Sequence, residues 1–140
     1  MAKKLVPLPK LLKKAEETFN AWVRERALDG DYFTCINCGV TKYKTELNAG
    51  HLHSVKRSSF LRFHPDNVWG ECRGCNAFDD NKIKYQINLI EKIGYERVKW
   101  LKDNYRNEKR WTRSELEEII NRYKPVRSAL SGLLNTKDRL

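Results

Sequence analysis

The sequence lacks the long apolar runs that mark a membrane-spanning or exported protein. No stretch of its 140 residues approaches the roughly 20 apolar residues that a spanning helix needs. Residues 1–7 also lack the longer apolar segment of a signal peptide. We therefore expect a cytoplasmic protein with no membrane partner. No internal repeat or low-complexity segment is present, so the length fits one small domain with a helical appendage.

Cysteine is scarce, and all four cysteines stand in two CxxC pairs. Cys35 and Cys38 form the first pair, Cys72 and Cys75 form the second, and 33 residues separate the pairs. Two such turns present four thiolates, the ligand set of a closed, structural zinc site. Without a secretion signal, metal ligation is favoured over two disulfides. A rubredoxin-like iron site would need a redox role that nothing else in the chain supports.

Acidic residues are outnumbered, which points to a polyanionic partner. The chain has 28 Lys and Arg against 18 Asp and Glu, a net charge of +10. Such an excess favours binding to a polyanion over a neutral or acidic ligand. The basic residues are spread along the whole chain, and this breadth favours contacts with backbone phosphates over the reading of particular bases.

Hydrophobic spacing predicts an α+β fold. Residues 8–28 have the spacing of an amphipathic helix that Gly30 ends. Residues 46–53 and 67–71 are typical of two short strands around an irregular basic loop. A helix is expected from Asn76, with isoleucines at helical spacing and Gly94 as its end: Ile83, Ile87, Ile90 and Ile93.

The C-terminal third predicts further helices. Residues 95–111 are charged with aromatic interruptions, which favours a helix and a turn. Thr112 and Glu115 then have capping-box spacing ahead of another helix, which Pro125 stops. We divide the chain into an N-terminal helix (1–30), a zinc-braced core (31–94) and a helical extension (95–140), whose last fifteen residues form a short helix or a frayed end.

His51 and Asn76 lie beside the cysteine pairs in an order that is typical of nucleases. The layout is strand, loop, strand and helix, with His51 on the first strand, Asn67 in the middle and Asn76 at the start of the helix. This is the layout of the HNH, or ββα-metal, motif. The ordered set is far more specific than any one of its residues.

Within that layout the chain resembles the NinG/Rap recombination endonucleases of lambdoid phages, and more distantly phage endonuclease VII. The resemblance covers about residues 8–90. It rests on these segments: Lys10 to Ala15, Cys35-x-x-Cys38-Gly39, Ala49-Gly50-His51, Arg62-Phe63, Asp66-Asn67-Val68, Cys72-x-x-Cys75-Asn76, and Asn81 with Tyr85. It implies a zinc-braced ββα-metal core and metal-dependent cleavage of branched DNA such as Holliday junctions and D-loops.

The resemblance also implies roles for individual residues. His51 would be the general base and Asn67 would support its strand. Asn76 would offer its carbonyl oxygen to a catalytic Mg²⁺ or Mn²⁺, since such hard cations prefer oxygen ligands.

One position departs from the HNH pattern. Many HNH sequences place an Asp metal ligand directly before the base, where this chain has Gly50. The replacement candidates are His53, Asp79 and Asp80. A second register, with His53 as the base, stays open.

The same resemblance names partners. Four basic residues near the predicted site are candidate phosphate contacts: Lys56, Arg57, Arg62 and Arg73. Two symmetric cuts in a junction would favour a homodimer, with recombination proteins as further partners. A phage or prophage origin in a bacterial host is implied. The alternative is a catalytically silent zinc module that binds nucleic acid, which explains the zinc and the charge but not the order of His51 and Asn76.

Overall fold

The computed structural model describes residues 4–125, which fold into five helices and two small antiparallel sheets. The predicted α+β class is therefore confirmed. The described residues group into a hairpin unit, residues 23–110, and a helical unit, residues 4–22 with 111–125. The three segments proposed from the sequence stay a prediction as functional domains. The predicted helix or frayed end at 126–140 lies outside the described residues.

The helical unit is built from the start of α1 (Leu8–Ala27) and from α5 (Arg113–Tyr123). Apolar residues at helical spacing explain α1, and it ends one residue before the predicted boundary. The predicted capping box is present, because the Thr112 side chain accepts from the Glu115 N–H and the Glu115 carboxylate accepts from the Thr112 N–H. The Tyr123 ring packs edge-on against Phe19 at 4.8 Å.

Two hairpins form the sheets of the hairpin unit. Strands β1 (Tyr32–Thr34) and β2 (Thr41–Tyr43) flank the first cysteine pair, and Gly39 between them has a φ of 74°, which a residue with a side chain rarely adopts. Strands β3 (Leu47–His51) and β4 (Val68–Cys72) pair antiparallel, with Leu47 opposite Cys72 and His51 opposite Val68. Both predicted strands are present, but β3 ends at His51, so His53 lies beyond the strand.

The helical half of this unit differs from the expectation of one helix from Asn76. The structure has α2 (Arg73–Phe78) and α3 (Ile83–Ile93), followed by α4 (Tyr95–Asn104). Residues 79–82 break the first two apart. Lys82 is in the left-handed region at φ 52°, and its N–H donates to the Asp79 carboxylate at 3.0 Å.

The buried face of α3 also differs from the isoleucine stripe. Tyr85 and Leu89 are buried in the core, whereas Ile83 and Ile87 are exposed. Their partners in the buried cluster are Leu61, Val98 and Leu101. The Tyr85 hydroxyl donates to the Gly50 carbonyl at 2.6 Å, so this face is fixed by a polar contact with β3 as well as by apolar area. In the described part of the chain, no helix is both long enough and apolar enough to cross a bilayer.

Gly70 in β4 is so closely packed that a side chain at this position should destabilise the protein. A Cβ atom added there would lie 2.6 Å from the Ala27 Cβ and 3.0 Å from Leu47 Cδ1, so Gly70→Ala should lower the free energy of unfolding by about 1–3 kcal/mol. In α2, nothing lies within 4 Å of a Cβ at Gly74. Gly74→Ala, the matched control, should raise stability by about 0.5–1 kcal/mol. Urea unfolding measures both, and equal effects would contradict the packing.

Candidate functional site

The four cysteines come together where the two hairpins meet. Cys35 and Cys38 lie on the turn between β1 and β2, while Cys72 ends β4 and Cys75 lies in the first turn of α2. Their Sγ atoms all lie within 4.8 Å of one another, and those of Cys38 and Cys72 are 4.0 Å apart. Tetrahedral zinc with Zn–S bonds of about 2.3 Å requires S–S separations of about 3.8 Å. The cluster can therefore hold one zinc ion.

The surroundings of the cysteines suit thiolate ligands. The Cys35 Sγ accepts from three backbone N–H groups, those of Asn37, Cys38 and Cys72, at 3.2 to 3.4 Å. Burial raises the pKa of the Cys35 thiol, and these hydrogen bonds act in the opposite direction. A bound cation would stabilise the thiolate further. All four cysteines are free rather than paired in disulfides, and four thiolates leave a zinc ion no open position for catalysis.

A buried carboxylate connects the cysteine cluster to β3. Glu71 on β4 has no exposed surface. Its Oε2 accepts from Asn37 Nδ2 at 2.9 Å, and its Oε1 accepts from Lys82 Nζ at 2.8 Å. The same ammonium donates to the His51 carbonyl at 2.8 Å. A chain of three hydrogen bonds thus runs from the first CxxC turn to the backbone of His51.

Glu71 occupies the space that a side chain at residue 50 would need. A Cβ atom added to Gly50 would lie 2.1 Å from Glu71 Oε1. A glycine within a strand often marks the close approach of another group, and here that group is a carboxylate from the neighbouring strand. The space beside residue 50 therefore already holds an acidic side chain, contributed by β4.

His51 ends β3 with its imidazole half-buried. Its Nε2 lies 3.1 Å from the Arg62 carbonyl oxygen. Since a carbonyl only accepts, Nε2 carries the proton and Nδ1 keeps its lone pair. Burial, together with the positive charges of Lys82 and Arg62, lowers the pKa of His51 to about 4, although this hydrogen bond acts in the opposite direction. The imidazole is therefore neutral at pH 7.

Asn67 is buried and fixes the loop between β3 and β4. Its Oδ1 accepts from the His53 N–H at 2.9 Å, and its Nδ2 donates to the His53 and Leu61 carbonyls at 3.0 and 3.2 Å. Leu61 directly precedes the residue whose carbonyl holds the His51 ring. Asn67 thus supports the histidine through the backbone rather than by touching the imidazole.

The other predicted residues lie in different surroundings. Asn76 is exposed in α2, which packs against both β3 and β4. Asp79 accepts from Asn37 Nδ2 at 3.0 Å, and Asp80 is exposed. Arg73 donates to the Thr45 carbonyl at 2.9 Å, while the half-buried Arg62 guanidinium lies 5.6 Å from the Phe63 ring.

His53 lies beside a basic cleft rather than on the strand with His51. Its ring stacks on Tyr105, with centroids 4.6 Å apart and planes 8° from parallel. Burial lowers the pKa of His53 to about 4, and the charges of Arg57 and Lys102 act in the same direction.

The adjoining cleft, of about 600 Å³, has two predicted DNA contacts, Lys56 and Arg57, on one wall. The opposite wall is residues 106–110, which contribute Arg106, Lys109 and Arg110.

Sequence reasoning missed Glu71, Lys82 and the cations of residues 106–110. Gly50 inside a predicted strand was a usable signal for a close neighbour, but it does not say which residue approaches. Nothing in the local sequence indicates that Lys82 turns back toward β3, because this depends on a left-handed backbone conformation. The cleft joins segments about fifty residues apart, and one of their contacts is the Lys109 N–H, which donates to Ser59 Oγ at 2.9 Å.

Comparison with known proteins places the chain in a phage family. The family model described as "Bacteriophage Lambda NinG protein" matches residues 2–131. The chain belongs to the NinG family. The NinG match extends well past residue 90, where the motif resemblance stops, so α4 and α5 are part of what the family shares.

Individual NinG proteins also match the chain. Protein ninG of Escherichia phage lambda is 34% identical over 120 residues, which are 85% of this chain and 56% of that relative. Protein ninG of Salmonella phage P22 is 32% identical over 120 residues, covering 85% of this chain and 57% of the relative. The chain thus spans little more than half the length of these relatives. No solved structure matches it.

The cysteine cluster predicts one bound zinc ion per chain. Purified protein should carry about one equivalent of zinc by atomic emission, and Cys38→Ser should carry much less. Because structural zinc contributes on the order of 10 kcal/mol in small zinc-binding domains, a strong chelator should reduce the folded content of the hairpin unit, as seen by circular dichroism. Full folding after complete metal removal would contradict this, and a visible absorption band would indicate iron instead.

Proposed function

We propose that the chain is a metal-dependent endonuclease of the HNH type, which hydrolyses phosphodiester bonds in branched DNA such as Holliday junctions and D-loops. The observation that carries the proposal is the state of His51: a neutral imidazole with Nε2 bonded to the Arg62 carbonyl and the Nδ1 lone pair left for a proton. Membership of the NinG family and the net charge of +10 support it.

His51 acts as the general base. Hydrolysis of a phosphodiester needs a water that loses a proton as it attacks phosphorus, and a positioned histidine contributes about 10²–10⁴-fold to such a step. The Arg62 carbonyl fixes the tautomer, so the proton goes to Nδ1. A bound phosphate places negative charge near the imidazole, which raises the pKa of His51 from about 4 toward neutral pH. Asn67 positions the loop segment that holds this tautomer.

Asn76 is the protein ligand that we assign to the catalytic cation, Mg²⁺ or Mn²⁺. Mg²⁺ commonly has only one or two protein ligands and takes its remaining oxygens from water and substrate phosphates, and the exposed amide of Asn76 fits that pattern. When bound, the cation would stabilise the charge that develops on the leaving oxygen. The position beside Gly50 does not fit a cation, because the Lys82 ammonium already contacts the Glu71 carboxylate there.

The basic cleft binds the sugar-phosphate backbone. Lys56 and Arg57 face Arg106, Lys109 and Arg110, with Glu108 as the single acid in the lining. A cavity of about 600 Å³ has the size of a small-molecule site. A short stretch of sugar-phosphate backbone is the ligand that we assign to it, which suits a substrate with exposed single strands. A homodimer and recombination proteins as partners stay predictions from the resemblance.

Cleavage assays with histidine variants test the base. With Mg²⁺ present, the protein should cut a four-way junction or a flapped duplex faster than linear duplex. His51→Ala should reduce kcat by about 100-fold or more because the base is lost. The acid limb of kcat/KM, which reports the free enzyme, should fall below the pH 6.5 of ordinary imidazole.

The matched control is His53→Ala, which should retain most activity because that ring stacks on Tyr105. Zinc content must stay at the wild-type level in both variants. A greater loss in His53→Ala than in His51→Ala would favour the second register. Tight DNA binding without cutting of any substrate would favour the silent zinc module.

The cleft makes a separate prediction about salt dependence. Each lost phosphate contact reduces the slope of log Kobs against log salt by about 0.7 for a single strand. Arg106→Ala combined with Arg110→Ala should therefore flatten the slope by about 1.4, measured by fluorescence anisotropy of a labelled oligonucleotide without divalent cations. Lys13→Ala combined with Lys14→Ala, on exposed positions of α1, removes the same charge and should change the slope much less. Equal changes would indicate diffuse attraction rather than a binding cleft.

A further inference from the structure

The hairpin unit contains a buried ion pair, Glu71 with Lys82, that contacts the backbone of His51 and that the proposed reaction does not use. Glu71 has no exposed surface and the Lys82 side chain is only 11% exposed. Burial of two charges is costly, and a buried pair is weak support for stability, since apolar replacements are often neutral or better. The contacts of the pair therefore matter more than its contribution to stability, and they lead to His51.

The side-chain hydrogen bonds of the pair lead to His51 and to the turn that carries the first cysteine pair. Lys82 Nζ donates to Glu71 Oε1 and to the His51 carbonyl, both at 2.8 Å. Asn37, between two cysteines, donates to the other carboxylate oxygen at 2.9 Å. The backbone turn at Lys82 is itself held by Asp79, which also accepts from Asn37. The ammonium thus donates one hydrogen bond to the buried carboxylate and a second to the backbone of His51.

We propose that Glu71 and Lys82 are positioning residues for His51. The ammonium fixes the His51 carbonyl while Arg62 fixes the imidazole, so that the residue is held at both its backbone and its side chain. Glu71 contributes the carboxylate that residue 50 lacks and uses it to hold Lys82 rather than a divalent cation. This inference deepens the proposed nuclease function and rests on it for the meaning of the rate measurements.

Imidazole NMR tests the positioning without any need for activity. In wild type, the ¹⁵N spectrum should show His51 as one tautomer with a protected Nε2 proton. Lys82→Met removes the donor to the His51 carbonyl and should give mixed tautomers or an exchanging Nε2 proton. Lys84→Met, an exposed lysine two residues along α3, is the matched control and should leave the spectrum unchanged. Identical His51 signals in all three proteins would overturn the proposal.

Kinetics separate positioning from metal ligation. Misplacement of a reacting group by about 1 Å costs up to about 100-fold in rate, so Glu71→Gln and Lys82→Met should reduce kcat by about 10- to 100-fold with little change in KM. The Mg²⁺ concentration for half-maximal rate should stay unchanged. If Glu71→Gln raises that concentration tenfold while the rate at saturating Mg²⁺ is kept, Glu71 is a cation ligand and the proposal fails.

A carboxylate exchange between strands gives the sharpest test. Gly50→Asp alone should clash with Glu71, whose Oε1 lies 2.1 Å from the added Cβ. Combining Gly50→Asp with Glu71→Ala returns a carboxylate to the same space from β3, and kcat should recover at least about tenfold relative to Glu71→Ala, as expected when the partner of a buried charge is restored. If kcat does not recover in a folded, zinc-loaded double variant, a carboxylate in this space is not what positions His51, and the proposal fails.

Loss of folding in the variants and absence of cleavage by wild type each have their own interpretation. If single variants lose their fold, Glu71→Gln with Lys82→Met removes both charges together, and its His51 spectrum carries the test. If wild type cuts no DNA while the Lys82→Met spectrum changes as expected, the proposed function fails and the positioning role stands.

Discussion

One buried carboxylate, and the requirement that it be paired, constrains how the segments of the hairpin unit come together. Glu71 lies between the cysteine cluster and the end of β3 with no access to water. An ionised carboxylate in such a place needs hydrogen bonds to both oxygens and a neighbouring cation. Asn37 and Lys82 meet that need from opposite directions, so the first cysteine turn, β4 and the start of α3 all have to be in place together. The position of His51 follows from the same arrangement.

Features set by local chemistry could be predicted from the sequence. The CxxC pairs, α1, the capping box at Thr112 and the two strands each depend on residues a few positions apart, and all are present. Such features are encoded by spacing, which a single sequence displays directly. Asn67 is buried and its amide holds the loop between β3 and β4, whereas its role in a catalytic motif stays a prediction.

Features that depend on strand register or on the sign of a backbone φ angle could not be predicted from residue spacing. Hydrophobic spacing marks Ile83 and Ile87 as candidates for the buried face of α3, but both are exposed. Tyr85 is buried instead, and its hydroxyl donates to the Gly50 carbonyl. The approach of Glu71 to Gly50 depends on the pairing of β3 with β4. His53 leaves the strand, and its stacking on Tyr105 joins segments about fifty residues apart. None of these contacts has a local sequence signature that identifies both partners.

The contact between Gly50 and Glu71 also limits how this family can vary. A side chain at residue 50 and a long acid at residue 71 compete for one volume, so residue 50 cannot gain a side chain while residue 71 keeps its long acid. A lineage that gains an acid at 50 must pass through a smaller residue at 71, and one that keeps the long acid must keep glycine. Among relatives, the two positions should therefore alternate as a coupled pair, and two alternative carboxylate placements should be separated by few viable intermediates.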